Sequence, residues 1–483
     1  MKELPLFEPL TGIVILTIYA LVVFLLTYFF SRGYSKTKVS FLLSNRDLTS
    51  TQGKFSVAAA WLYATGLFVS VQQAYVNGLV GFFWFVLGAI GVYWLFGFFA
   101  QKLRDKFPEG FTFSSYIKET YGTKVQSVYL FEMSLLAICI CALNLLAGGK
   151  IIELLTGLNF YFSVIVIAVI ALIYSLNGGL KASVVTEIFK ILMVWSGIFI
   201  LVPLVVLNSG GINNVINGLS GINKDGLAII GTEKSWNVFI TFGIITFLGA
   251  MGGFFGDNAF YQRSFSIPKE KVFKTFWQGS LVYGIIPLGM SLIGFAAAGS
   301  GLIVPKGNEQ MTTAYMIANT LPSFASIYFL FIFFACSISV LDSQLTSISS
   351  MAGHDIINKY KNNISDKDSI LFARGAMILM TLLGILISFI PGITILHIFL
   401  FFATLRSSVW IPSIVAIVRP KLLNSNSMFY GILIAIFIGL PLFVYGNLTK
   451  QPYVVLSGVL IAILGSFLFS FILKKLIFKG NEI

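Results

Sequence analysis

The sequence predicts an all-α membrane protein of about 13 transmembrane helices, and three observations carry that expectation. Of its 483 residues, 57% are hydrophobic and only 11% charged, with a mean hydropathy of +0.90, a balance that soluble domains of this size do not show. Apolar stretches of about 18 residues or more, long enough to cross a bilayer as helices, follow one another along the chain. The basic residues gather in alternate short loops between them, which is the asymmetry that orients membrane proteins. Residues 1–483 are expected to form a single polytopic membrane domain with no soluble domain or linker.

The same observations exclude several classes. The formal charge of +13 is topological, so membrane lipid is an expected partner and nucleic acid is not. Cys139, Cys141 and Cys336 lie in apolar segments and suggest neither a disulfide framework nor a metal site. There are two histidines in all, no HExxH, no paired-cysteine motif, no P-loop and no dinucleotide turn, so an enzyme is not expected.

The spans fall at 9–31, 54–76, 78–101, 125–148, 159–176, 182–207, 236–256, 273–299, 324–352, 369–390, 393–417, 427–446 and 453–473. The first has an acidic and basic start, no clear small-residue cleavage site and a basic flank, and reads as a retained helix rather than a signal peptide. Loops after odd-numbered segments hold Arg32, Lys36, Lys38 and Arg46, then Lys102, Arg104, Lys106 and Lys118, and later Lys269, Lys271, Lys359 and Lys361. Roughly 24 Lys and Arg fall on that side and about 6 on the other, placing the N-terminus outside and the C-terminus in the cytoplasm of a plasma-membrane protein. The loop 102–124 is amphipathic enough for a short helix lying at the surface. The Gly- and Asn-rich loop 208–236 is expected to cap the outer face.

Two segments are interrupted by small residues. Segment two carries AAAWLYATG (58–66) and segment seven LGAMGGFFGDN (248–258). Glycine clusters inside spans permit unwinding or close helix approach. Segments two and seven are five apart, and paired interrupted helices in corresponding halves point to a transporter built from inverted repeats, with its site at the midplane. Close packing through small residues is the alternative.

The run SISVLDSQLTSISS (337–350) lies inside segment nine. Ser339, Asp342, Ser343, Thr346, Ser347 and Ser350 recur at helical spacing and form one polar stripe. Hydroxyls of this kind commonly knit membrane helices together. Asp342 adds an ionisable group whose insertion costs about 2.5–3.5 kcal/mol, which favours a functional role. Glu187 and Lys190, three apart in segment six, are placed to pair on one helix face. Asp257 is expected to pair with Arg263 or face a cavity, and Glu132 to be interfacial. Arg406 needs a partner or a cavity, and His397 reads as a packed polar group.

Five stretches resemble the sodium/solute symporter family: FLLSNRDLTSTQGKFSVAAAWLYATG (41–66), QKLRDKFPEGFTFSSYIKETYG (101–122), NGGLKASVVTEIFK (177–190), FYQRSFSIPKEKV (260–272) and SQLTSISSMAGHDIINKY (343–360). The resemblance implies two inverted five-helix repeats, about 54–207 and 236–417, in a LeuT-like core, with one N-terminal and two C-terminal helices outside it. It implies cation-coupled symport of a small polar solute by alternating access, with a sodium site on Ala59, Leu62, Cys336, Ser339 and Val340. The sequence departs from the family pattern there. Val340 replaces a usual Ser or Thr and removes an oxygen ligand, Asp342 replaces a small hydroxyl residue, and Glu187 replaces a usual Asp. The coupling ion is therefore Na+ held in a site rearranged around Asp342 and Glu187, or H+ in its place, or coupling is lost, leaving a uniporter or a non-transporting receptor or sensor. No C-terminal signalling domain follows segment thirteen, which disfavours the sensor.

The region 248–300 resembles the family's urea and polyamine branch, with Asp257 ahead of Phe260, Tyr261 and Gln262. Candidate solute contacts are Asp257, Gln72, Gln73, Tyr63, Trp61 and Tyr93, where the aromatics serve interhelical packing equally well. A cavity carboxylate suits a donor-rich solute such as urea or an amine; amino acids and sugars are the other classes the family implies.

Overall fold

The structure is a computed structural model that describes residues 7–224, 227–305, 309–360, 364–393, 398, 401 and 405–477. Among these residues every regular element is helical, and ten helices are long and apolar enough to cross a membrane. The chain runs through α1 (Pro9–Phe30), α2 (Lys38–Leu43), α3 (Ser50–Ala59), α4 (Ala64–Lys106), α5 (Phe113–Tyr121), α6 (Thr123–Thr156), α7 (Phe160–Asn208) and α8 (Ile212–Asn217). It continues through α9 (Glu233–Val238), α10 (Ile244–Gly256), α11 (Asn258–Ser266), α12 (Val272–Gly299), α13 (Thr312–Thr320), α14 (Ser323–Ser350) and α15 (Asp366–Ser388). The last helices are α16 (Leu405–Val418), α17 (Ser425–Leu448) and α18 (Pro452–Leu476).

Ten helices stand where the sequence suggests about 13 spans because α4 and α7 each run through two of the expected segments, and α16 is shorter than a full span. An unbroken helix of 43 or 49 residues would be about 65–75 Å long, twice the hydrocarbon thickness. Each is divided by a glycine: Gly78 has φ 61° and ψ −142°, and Gly179 has φ 54° and ψ −138°. These are conformations that glycine reaches at little cost. Both sites also admit backbone contact, since a Cβ on Gly78 would meet the Leu219 carbonyl and one on Gly179 the Phe41 carbonyl. His397 and most of 393–404 lie outside the described residues.

Both expected interruptions are present. α3 stops at Ala59 and the helix resumes at Ala64, with Ala60–Tyr63 between them. α10 stops at Gly256, where Asp257 adopts an extended φ of −106° and ψ of 115°. The Asp257 carboxylate caps the next helix by accepting from Ala259 N at 2.8 Å. The stretch after the break, which the span boundaries leave as part of a loop, forms α11, and all nine of its residues are buried.

α14 is the central helix. Every residue from Ile332 to Ser350 is buried, against α6, α7 and α15 among others. The expected surface helix in the loop 102–124 exists as α5, but it docks on protein. Phe113, Tyr116, Ile117 and Tyr121 are buried, and the Tyr116 and Tyr121 hydroxyls each donate at 2.7 Å, to the Ala416 and Pro420 carbonyls. The loop after α7 is tied to the ends of α4's first half and α12. Ile222 N donates to Tyr75 O at 2.8 Å, and a Cβ on Gly299 would meet the Asn214 carbonyl.

Candidate functional site

The polar stripe of α14 divides into two parts. Its C-terminal part is glue. Thr346, Ser349 and Ser350 donate back to their own helix at 3.0, 2.7 and 2.8 Å. Asn258 Nδ2 donates to Ser350 Oγ at 2.9 Å, and Gln262 Nε2 to Thr346 O at 3.0 Å and Leu42 O at 2.7 Å. These bonds fasten α11 to α14 and, through Leu42, to α2.

The N-terminal part faces two fully buried ion pairs. Lys190 Nζ lies 2.6 Å from Asp342 Oδ2, which also accepts from Tyr174 OH and Thr186 Oγ1, both at 2.8 Å. Arg263 pairs with Glu187. Glu187 also accepts from Ser56 Oγ at 2.5 Å, Ser183 Oγ at 2.9 Å and Ser343 Oγ at 2.7 Å. Two expectations fail here. Glu187 and Lys190 do not pair with each other, because their shared face meets two other helices that each supply a better partner. Asp257 does not pair with Arg263, because the guanidinium reaches Glu187 and Ser343, while Asp257 accepts from Gln344 Nε2 at 2.7 Å.

The family's sodium positions come together only in part. Ser339 Oγ donates to Ala59 O at 3.3 Å, and that carbonyl also accepts from Leu62 N at 3.0 Å. Cys336 is buried one turn before Ser339. The Val340 side chain packs in an apolar cluster with Leu136, Ile140, Leu143 and Leu146 and offers no oxygen. Asp342 Oδ1 has no hydrogen-bond partner among the described residues. No group of three or more His, Cys, Asp or Glu is gathered among the described residues. Glu132, expected at an interface, is buried and accepts from Ser408 Oγ at 2.6 Å, because α16 packs a serine against it.

A cavity of about 410 Å³ opens beside the first helix break. Trp61, Tyr63, Gln72 and Gln73 line it, as the sequence suggests. Tyr93 and Asp257 do not. Tyr93 is fully buried against Phe254, with ring centroids 4.8 Å apart, and Asp257 is held behind the wall by the two bonds above. Arg406 and Ser407 also line it, with Thr241 and Thr246. The signal for Arg406 was in the glycines. Gly249, Gly252, Gly253 and Gly256 recur at helical spacing along α10, and a Cβ on Gly253 would lie 3.1 Å from Arg406 Nη1, one on Gly256 2.9 Å from Arg406 Cβ, and one on Gly252 2.6 Å from Ser407 Oγ. The cluster is a groove for the start of α16, besides marking the break.

The model of the sodium:solute symporter family matches residues 41–438. The chain belongs to that family. A urea-proton symporter of Oryza sativa subsp. japonica, DUR3, is 24% identical over 349 residues, 67% of this chain and 48% of that protein. The spermidine transporter DUR31 of Candida albicans is 25% identical over 386 residues, 77% and 69% of the two chains. The chain thus spans about half the length of the rice symporter. The solved structure of a Na+-coupled sialic acid symporter in a substrate-bound, outward-open state superposes with a TM-score of 0.81 over 96% of this chain and 97% of that one, at 16% identity. The fold is therefore the LeuT-like fold of this family, and the chain is a multi-pass membrane protein. The family and these relatives are transporters rather than enzymes.

Proposed function

We propose that this protein is a secondary active transporter that carries a small polar organic solute together with a cation by alternating access. The observation that carries the reading is the cavity of about 410 Å³ at the first helix break, backed by α10 just before the second break. Its size suits one small solute. The solute classes under consideration are urea, amines, amino acids and sugars, and the membrane is the plasma membrane with the N-terminus outside. The two inverted repeats, about 54–207 and 236–417, rock around the cavity, and the bound cation favours the state that binds solute, with reciprocal coupling.

For the coupling ion, Na+ is the family's default, on Ala59, Leu62, Cys336 and Ser339 with Asp342 and Glu187 nearby. A second reading, H+ in place of Na+, is favoured by the arrangement at Asp342. Its Oδ2 already takes three donors, among them the Lys190 ammonium at 2.6 Å, and is not open to a sodium ion; its Oδ1 has no hydrogen-bond partner among the described residues and is the oxygen a proton would occupy, and the Val340 side chain supplies sodium no oxygen. The name of the rice relative, a urea-proton symporter, agrees with that reading. Uptake into proteoliposomes under an imposed sodium gradient or an imposed pH gradient tests both. Accumulation with the pH gradient alone is expected for proton coupling, and accumulation with sodium alone selects the default. Uptake of any solute that responds to neither gradient overturns symport.

A further inference from the structure

We infer that a second binding site, open to the bilayer and separate from the solute cavity, lies between α6, α16 and α17 and takes a lipophilic amine whose nitrogen meets the Glu132 carboxyl. A groove of about 440 Å³ is formed there. Its walls include Phe131 and Leu135 of α6, Leu405 of α16, and Leu433 and Phe437 of α17. Phe131 and Phe437 are exposed, so the groove opens on the outer surface of two spanning helices, where the bilayer is the solvent. Among the described residues it shares no lining side chain with the solute cavity. The site therefore goes beyond the transport reading and does not depend on it.

Apart from Ser127 near the start of α6, Glu132 is the one polar side chain on this wall among the described residues, and it is only 2% exposed. Its hydrogen bonding is incomplete. Ser408 Oγ, 2.6 Å from Glu132 Oε1, has a single proton, and Leu405 O at 2.7 Å competes for it. Glu132 Oε2 has no hydrogen-bond partner among the described residues, and no basic side chain among them forms a salt bridge with the carboxyl. A buried carboxyl short of a partner is costly in apolar surroundings, and a donor of opposite charge relieves that cost. Depth narrows the occupant further. Lys124 Nζ donates to Asn426 Oδ1 at 3.0 Å, so α6 and α17 begin level with each other. Glu132 lies about 12 Å further along α6 at the helical rise, beyond the reach of a headgroup held in the interface. The ligand must carry its polar end into the hydrocarbon together with its apolar body, as a compact amine does and a phospholipid does not. A carboxylate would meet a like charge, an alcohol would offer a neutral bond about half as strong, and a plain hydrocarbon would leave Oε2 as it is.

The test uses full-length protein in lipid nanodiscs and three probes that share one apolar cage and differ in head group: adamantylamine, adamantanol and adamantanecarboxylate. Thermal stabilisation is measured against probe concentration at matched ionic strength. The amine is expected to stabilise saturably, the alcohol more weakly and the carboxylate not at all. Glu132→Gln keeps the shape of the side chain and removes the carboxyl. It is expected to weaken amine binding about 10- to 100-fold, the size of effect of a charge-assisted hydrogen bond, and to leave adamantanol nearly unchanged. Leu433→Trp, which narrows the groove from α17, is expected to weaken both. Equal stabilisation by the three head groups overturns the inference, as does a shift that grows without saturating, which is partitioning into lipid. Unchanged amine affinity in a folded Glu132→Gln protein overturns it too, and puts the amine elsewhere, the solute cavity included. Should that variant fail to fold, Leu433→Trp decides: loss of amine stabilisation supports the site, and full retention overturns it.

Discussion

At the scale of single residues, two buried pairs set the character of the centre. Glu187 and Lys190 sit three apart, and the sequence alone places them on one face, which is correct. It does not say what that face meets. α14 brings Asp342 to Lys190, and α11 brings Arg263 to Glu187. A cross-helix partner is a long-range fact that local spacing does not encode. Breaking such a pair leaves an uncompensated buried charge, at a cost of about 3–5 kcal/mol, whereas replacing both partners by neutral groups is often nearly neutral. Lys190→Met is therefore expected to lower the melting temperature in detergent strongly, and Lys190→Met combined with Asp342→Asn to recover much of the loss. If the double variant is as unstable as the two single losses added together, the pair is not what holds Asp342. Val340 was legible as a departure from the family pattern, but its apolar surroundings on α6 were not, since they depend on a helix some two hundred residues away.

At the scale of elements, the interrupted helices were readable because glycine clusters inside an apolar span have few other uses. Their location was read well and their purpose only in part. The glycines of α10 serve α16 as much as the break, and α11 was missed because SFS and QR look like loop chemistry, whereas Ser264 and Ser266 donate back to their own helix and α14 supplies partners for Gln262 and Arg263. Gly256→Ala is expected to be destabilising by about 1–3 kcal/mol, the range for overpacking, because its Cβ would lie 2.9 Å from Arg406 Cβ and 3.0 Å from Arg406 O, where backbone must yield. Gly375 in α15 is the contrast. Nothing lies within 4 Å of a Cβ there, so Gly375→Ala should be neutral or stabilising by up to about 1 kcal/mol through helix propensity. Thermal melts of the two variants side by side check both; equal effects would mean that the groove is not tight. α5 gives a third case. Thr112 both caps α5, accepting from Ser115 N at 3.1 Å, and donates to Asp355 at 2.6 Å. Thr112→Ala is expected to cost about 1–3 kcal/mol, from a lost cap and a buried carboxylate deprived of a donor, with Thr112→Ser close to wild type in the same melt.

At the scale of the whole molecule, the distribution of charge and the order of apolar segments carried most of the architecture, because both follow from the bilayer as solvent rather than from particular contacts. The orientation drawn from them is open to a direct measurement. The three native cysteines are free and buried, so single exposed cysteines report cleanly. Ile230 is 69% exposed in the loop between α8 and α9, and Tyr360 is 80% exposed after α14. The first loop is poor in basic residues, while the second holds Lys359, Lys361 and Lys367 nearby. The asymmetry predicts that the basic loop is the cytoplasmic one. In intact cells a membrane-impermeant maleimide is therefore expected to label Ile230→Cys and to label Tyr360→Cys only after the membrane is permeabilised. The opposite pattern would invert the molecule, turning the side from which the cavity loads and with it the direction in which an ion gradient drives the solute. Labelling of both residues in intact cells would instead break the odd number of crossings between them that the inverted repeats require.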